Sequence, residues 1–187
     1  MPRINELKKG DVVEVNGLPH IVKTYEVRNP SSRGASTMYK VRFNNLKTGI
    51  KVDETFKGED VIKELDCPKV PVMFSYLDGD SYVFMNNDDY SQYYLSAETL
   101  EEEKKYLTEG LSGITAILLD EVILTIELPT HVTLEITETT PGTKASGAGR
   151  TKPAMLSTGY EVQVPEFIEP NEQVKISTLT GKFLSRA

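Results

Sequence analysis

The chemistry this chain can offer begins with one arginine. In "RNPSSRGASTMYKVRF", residues 28–43, Arg33 stands among small residues between two strand-like runs, "HIVKTYEVR" and "TMYKVRF". Pro30 stiffens the entry, Gly34 admits a positive φ beside the tip, and Ser31, Ser32, Ala35 and Ser36 keep the neighbouring volume small. A guanidinium is planar, permanently charged and carries five donors suited to phosphates, riboses and base edges. Such a tip can reach into a narrow cavity lined by nucleic acid and hold one cation there. A second basic set, Lys144, Arg150 and Lys152, lies in "TTPGTKASGAGRTKPAMLST", about 20 residues without an apolar pattern, and could close on a phosphate backbone.

Catalytic chemistry has little to work with. There are 2 histidines and 1 cysteine, and His20 and His131 lie far apart in the chain. Cys67 has no Cys or His at metal-ligand spacing. All three read as structural residues. Asp88 and Asp89 in "MNNDDYSQ" lack the rest of a calcium loop, and neither a phosphate-binding G-x-x-x-x-G-K-[ST] nor a G-x-G-x-x-G motif occurs. The expectation is a protein without catalytic residues, metal or cofactor.

Strands must position the arginine. "DVVEVNGLPHIVKTYEV" carries Asn16-Gly17, a type I′ hairpin cue, and "MYKVRFNNL", the Thr48-Gly49 turn, "IKVDETF" and "DVIKEL" follow. Five or six strands in 64 residues suit a small SH3-like barrel. Prolines from Pro68 to Pro71 mark a boundary near residue 65. Beyond it come "VMFSYL", an Asp78-Gly79 turn, "SYVFM" and a polar stretch to Leu95. "SAETLEEEKKYL" then predicts a short helix with Ser96 as N-cap and a Glu101–Lys105 pair, and "ITAILL" and "VILTIEL" flank Asp120-Glu121. That set suggests an OB-like barrel. "HVTLEITET", "GYEVQV", "EQVKIS" and "GKFLSR" alternate again and form a third β-domain. The expected domains are 1–64, 65–127 and 128–187.

Charge is unevenly spread. The formal net charge is −7, but residues 1–64 hold 12 Lys/Arg against 9 Asp/Glu, residues 65–127 hold 3 against 13, and residues 128–187 hold 6 against 6. A basic first third suits a polyanionic partner and the acidic middle does not. "MPRINELKKG" lacks the apolar core of a secretory signal, and "ITAILLDEVILTIEL", cut by two carboxylates, is too short to span a bilayer as a helix. A cytoplasmic protein with no membrane partner is expected.

The longer segments "LKKGDVVEVNGLPHIVKTYEVRNPSSRGAS", "TGIKVDETFKGED", "YLDGDSYVFMNNDDY", "IELPTHVTLEITETTPGTK", "TKPAMLSTGYEVQVPEFIEPNEQVKIST" and "TGKFLSR" together resemble the elongation factor P family over nearly the whole chain. P-G-x-K, T-K-P-A, L-S-T-G and V-P-x-F-I succeed one another in the family's order. The resemblance implies an SH3-like domain and two OB domains in an L-shaped, tRNA-like arrangement. It implies a monomer that binds the 70S ribosome between the peptidyl and exit sites and contacts ribosomal RNA. Its first-domain loop would approach the acceptor end of peptidyl-tRNA stalled at consecutive prolines and position the reactants for peptide-bond formation. On this reading the tip is Arg33 with Pro30, Ser31, Ser32, Gly34 and Ala35, and Lys23, Arg28, Lys40, Arg42 and Lys51 supply phosphate contacts around it.

Two departures stand out. Many family members carry a modified lysine in a P-G-K-G loop, whereas Arg33 occupies a loop about two residues longer, as in the elongation factor P-like subgroup. The family's third-domain loop commonly reads G-D-T after P-G-x-K and approaches the exit-site mRNA codon. Here Ala145-Ser146-Gly147 stands instead, so an exit-site loop of Lys144, Ser146, Gly147, Arg150 and Lys152 would meet the codon without the acidic residue. The competing reading is a general RNA-binding or RNA-chaperone module built on the same barrels.

Overall fold

A computed structural model of the protein describes residues 1–29, 36–142 and 149–187. It is built from three antiparallel five-stranded sheets, each folded by short turns whose residue types dictate their geometry. The first contains β1 (Val12–Val15), β2 (Leu18–Arg28), β3 (Met38–Asn45), β4 (Lys51–Lys57) and β5 (Lys63–Glu64), in the order β4-β3-β2-β1-β5. Asn16 and Gly17 lie at φ 52 and 78, the double positive φ that a type I′ turn needs. The second contains β6 (Lys69–Asp78), β7 (Ser81–Asn86), β8 (Gln92–Ser96), β9 (Ile114–Leu119) and β10 (Val122–Glu127), in the order β10-β9-β6-β7-β8. Asp120 and Glu121 make a second two-residue turn at φ 49 and 65. The β6–β7 turn is Gly79-Asp80, one residue beyond the expected pair, because Asp78 pairs with Ser81 and Gly79 takes the positive φ. The third sheet contains β11 (His131–Thr139), β12 (Thr151–Leu156), β13 (Glu161–Pro165), β14 (Gln173–Ser177) and β15 (Phe183–Arg186), in the order β13-β12-β11-β14-β15. The first sheet fits an SH3-like barrel and the other two fit OB folds.

The described residues group into two compact units. One comprises Met1–Lys69 with Ile117–Thr125. Its core joins Ile4, Val13, Val22, Val41 and Phe43, and the edges of His20 and Phe56 meet the Phe43 ring at 6.3 and 6.1 Å between centroids. On the other side of the sheet Val12 and Ile21 pack on Ile117, beside Cys67, whose thiol burial pushes up.

The other unit comprises Val70–Ala116 with Ile126–Ala187. Its larger core gathers Val132, Leu134, Ile136, Ala154, Leu156, Val164, Ile168, Val174 and Ile176, and it also takes in Tyr106. Tyr106 meets Tyr160 edge-on at 6.0 Å, and a Cβ added at Gly181 would come within 3.2 Å of both phenol oxygens.

The helix expected over "SAETLEEEKKYL" is replaced by turns through 97–102 and a 3-10 turn, Glu103–Tyr106. Ser96 closes the first of those turns, its Oγ accepting from the Thr99 N–H at 3.3 Å, while the 3-10 turn, with Glu102 at its N-cap position, has no side-chain cap. The ion pair is Lys105–Glu102 at 2.8 Å and not Glu101–Lys105. Only Leu100, Tyr106 and Leu107 are buried there, which is too narrow an apolar stripe to hold a short helix that is marginal in water. No helix among the described residues is long and apolar enough to cross a membrane.

Candidate nucleic-acid interface

Directly paired residues of adjacent strands point to the same side of a sheet, so strand register decides which cations meet. β2 and β3 pair as Thr24↔Arg42, Glu26↔Lys40 and Arg28↔Met38. β3 and β4 pair as Met38↔Lys57, Lys40↔Thr55, Arg42↔Asp53 and Asn44↔Lys51. Val41 and Phe43 are wholly buried on the inner side, so the alternate positions form the outer face. That face brings Arg28, Lys40, Arg42 and Lys51 together and adds Lys57, with only Glu26 and Asp53 as counter-charges. Lys57 was missed by sequence reasoning, although its parity with Lys51 along "KVDETFK" was the available signal. Lys23 sits half-buried where the register shifts between Val22 and Thr24 and is not on the alternating row.

Most of these cations are held by neighbours. Arg42 donates through Nε to Asp53 Oδ1 at 2.6 Å and through Nη2 to Oδ2 at 2.7 Å, a bidentate pair. Lys40 Nζ lies 3.6 Å from the same carboxylate, and Arg28 lies 3.8 Å from Glu26. The Arg42 hydrogen bond holds the Asp53 carboxyl down to about 2, with Lys40 adding to it. Asp53 therefore stays ionised well into the acid range. Among the described residues, Lys51 and Lys57 make no side-chain ion pair.

Strands β2 and β3 are joined by the segment that bears the arginine. Arg28↔Met38 is the last pair of the β2–β3 ladder, so the segment bearing the arginine leaves and rejoins the sheet at neighbouring points. Pro30, Ser31, Ser32, Arg33, Gly34 and Ala35 themselves lie outside the described residues, as do Lys144, Ser146 and Gly147.

The third sheet corrects one expected contact. Lys152 belongs to β12, a strand hidden within what reads in sequence as one long loop. Lys152, Ala154 and Leu156 are its inward row, at 5%, 2% and 1% exposure. Lys152 Nζ donates to the Thr140 carbonyl at 2.6 Å, so it braces the strand pair and does not face an RNA backbone. Lysine at an inward position and Pro153 beside it mask the alternation. Arg150, just before the strand, is exposed. Gly142 is required by contact, since a Cβ there would stand 2.5 Å from the Glu166 carbonyl oxygen.

His20 is buried and its Nδ1 lies 2.9 Å from the Leu18 carbonyl, a donor to it in that tautomer. No group of acidic, His or Cys side chains among the described residues is placed to hold a metal ion.

Three family models cover most of the chain. "Elongation factor P (EF-P) KOW-like domain" matches residues 3–62, "Elongation factor P (EF-P) OB domain" residues 68–126, and "Elongation factor P, C-terminal" residues 132–186. An "Elongation factor P-like protein" of Vibrio cholerae serotype O1 is 45% identical over 188 aligned residues, covering 100% of both chains. One of Pseudoalteromonas atlantica is 46% identical, covering 100% of this chain and 99% of its own. A solved structure, eukaryotic translation initiation factor 5A from Methanococcus jannaschii, aligns with 68% of this chain and 98% of its own at 17% identity and a TM-score of 0.41. That likeness is too weak to carry an argument.

Proposed function

The chain belongs to the elongation factor P family, in its elongation factor P-like subgroup, and is thus a translation elongation factor; we propose that it acts by steadying peptidyl-tRNA with Arg33 on ribosomes stalled at consecutive prolines. It does so in the cytoplasm, as a monomer lodged between the peptidyl and exit sites. The outer face of β2, β3 and β4 lies against ribosomal or transfer RNA phosphates through Arg28, Lys40, Arg42, Lys51 and Lys57. The β2–β3 connection carries Arg33 to the acceptor end. Its contribution is positioning, since a guanidinium provides charge and donors and transfers no group. In the third domain, Arg150 with Lys144, Ser146 and Gly147 approaches the exit-site codon, and Lys152 is excluded from that role.

The observation that supports this reading most is the convergence of five cations on one face of the sheet whose β2–β3 connection bears Arg33. The test is translation of a Pro-Pro-Pro reporter and a proline-free control in a reconstituted system without modifying enzymes. Wild type speeds the proline reporter alone, and Arg33→Ala loses about tenfold or more of that effect, the scale expected when a positioning contact is removed. Equal acceleration of both reporters would make the protein a general RNA binder. Full activity of Arg33→Ala would remove the arginine from the mechanism.

A further inference from the structure

Lys40 and Arg42 occupy two successive outward positions of β3, between β2 and β4. Each flank of that strand supplies a carboxylate at their level, Glu26 opposite Lys40 on β2 and Asp53 opposite Arg42 on β4. Asp53 engages the Nε–Nη2 edge of Arg42 with both oxygens and has Lys40 Nζ 3.6 Å from one of them. A guanidinium grips a phosphate through the same two-point fork, so Asp53 sits where a phosphate would sit. The situation of Lys51 and Lys57 is different, because no carboxylate is paired with their side chains among the described residues.

We infer that Asp53 is a specificity-determining residue of the nucleic-acid face, an internal stand-in for phosphate that keeps Arg42 and Lys40 from stray polyanion and gives them up at the correctly shaped site. The inference rests on the reading of this face as the RNA contact. Arg42 and Asp53 side chains are 48% and 33% exposed, so their pair is weak and exchangeable. An RNA strand arriving at random must displace Asp53 and also meet its charge, and it gains little from doing so. At the proper site Arg28, Lys51 and Lys57 hold the backbone in register, and phosphates placed beside β3 take over Arg42 and Lys40 as if intramolecularly. Asp53 thus subtracts more from non-specific binding than from specific binding, and specificity is that difference.

The experiment uses the full chain with Asp53→Asn, Asp53→Glu and Lys51→Ala, titrated with salt against an unstructured single-stranded RNA oligonucleotide and against ribosomes. Asp53→Asn is expected to tighten oligonucleotide binding several-fold. It should steepen the dependence of log affinity on log salt by about 0.7 for each phosphate newly contacted. Binding to ribosomes changes less, so their advantage over the oligonucleotide shrinks, and Asp53→Glu restores it. If Asp53→Asn leaves oligonucleotide affinity and salt slope unchanged while Lys51→Ala lowers both, the role of Asp53 is wrong and the RNA face stands. If Lys51→Ala changes neither ligand's binding, the face itself is wrongly read and the role of Asp53 falls with it.

Discussion

Strand β3 carries Lys40 and Arg42 and strand β12 carries Lys152, yet the two strands use their cations in opposite ways. On β3, Lys40 and Arg42 point outward while Val41 and Phe43 fill the core. On β12, Lys152 shares the inward row with Ala154 and Leu156, and its amine ends on the Thr140 carbonyl. The sequences "YKVRF" and "TKPAML" both suggest cations available to a polyanion, and only the register of each strand against its neighbours separates display from bracing. The first sheet turns its cations outward, and the third turns Lys152 inward.

Variants can test that contrast. The largest effect is expected away from both strands, at Tyr106, whose ring lies in the core that Lys152 borders. Tyr106→Ala should destabilise the protein by about 3–5 kcal/mol, the range for truncating a buried aromatic, while oligonucleotide binding under native conditions stays as in wild type. Urea unfolding and RNA titration measure the two, and a concurrent loss of binding by folded protein would mean that the third sheet's core also serves the RNA face.

Next comes the direct comparison of lysines. Lys152→Ala leaves the Thr140 carbonyl without its partner and should cost about 1–3 kcal/mol in urea unfolding, with the salt slope of RNA binding unaltered. Lys40→Ala should change stability by less than about 0.5 kcal/mol yet flatten the salt slope of ribosome binding by about 0.7. Were the two variants to behave alike, parity would not be what divides their roles.

Much of this architecture was legible. Asn16-Gly17 announced its hairpin because a turn with two positive φ angles favours few residue types, Asp120-Glu121 because two carboxylates interrupt a long apolar run, and the alternation in "HVTLEITET" named its own inner row. What stayed hidden were elements whose local signal opposes their tertiary setting. β12 was lost because an inward lysine and a strand proline break the apolar pattern, and β8 read as polar because Leu95 is its only buried residue. The 97–106 segment has helix-forming composition without the apolar stripe to anchor a helix. At the site, residue types marked Lys40, Arg42 and Lys51, but Asp53 as their partner needed the β3–β4 register, which no short-range pattern contains.

The smallest expected effect concerns acidity. Because the folded-state carboxyl of Asp53 titrates at about 2, below its ordinary 3.8, the Arg42–Asp53 pair contributes its stability above about pH 4 and loses it as pH falls through about 2. The difference in urea midpoint between wild type and Asp53→Asn should accordingly shrink over that interval. A difference independent of pH would show that the pair adds nothing to the folded sheet, sharpening the view that Asp53 is kept for what it withholds from RNA.

The ring of Tyr106 also bears on how such a protein could be cut and recombined. A gene fragment for residues 128–187 would encode all five strands of the last sheet and none of the tyrosine that fills the space beside Tyr160 and Gly181. Lys105 would be missing as well, with its carbonyl that accepts from the Thr158 hydroxyl at 2.6 Å and its amine 5.2 Å from the Tyr160 ring centre. The piece that can be transplanted as a whole therefore starts upstream of the sheet it is meant to deliver. Shuffling that respected strand boundaries alone would hand on a barrel with a gap in its wall.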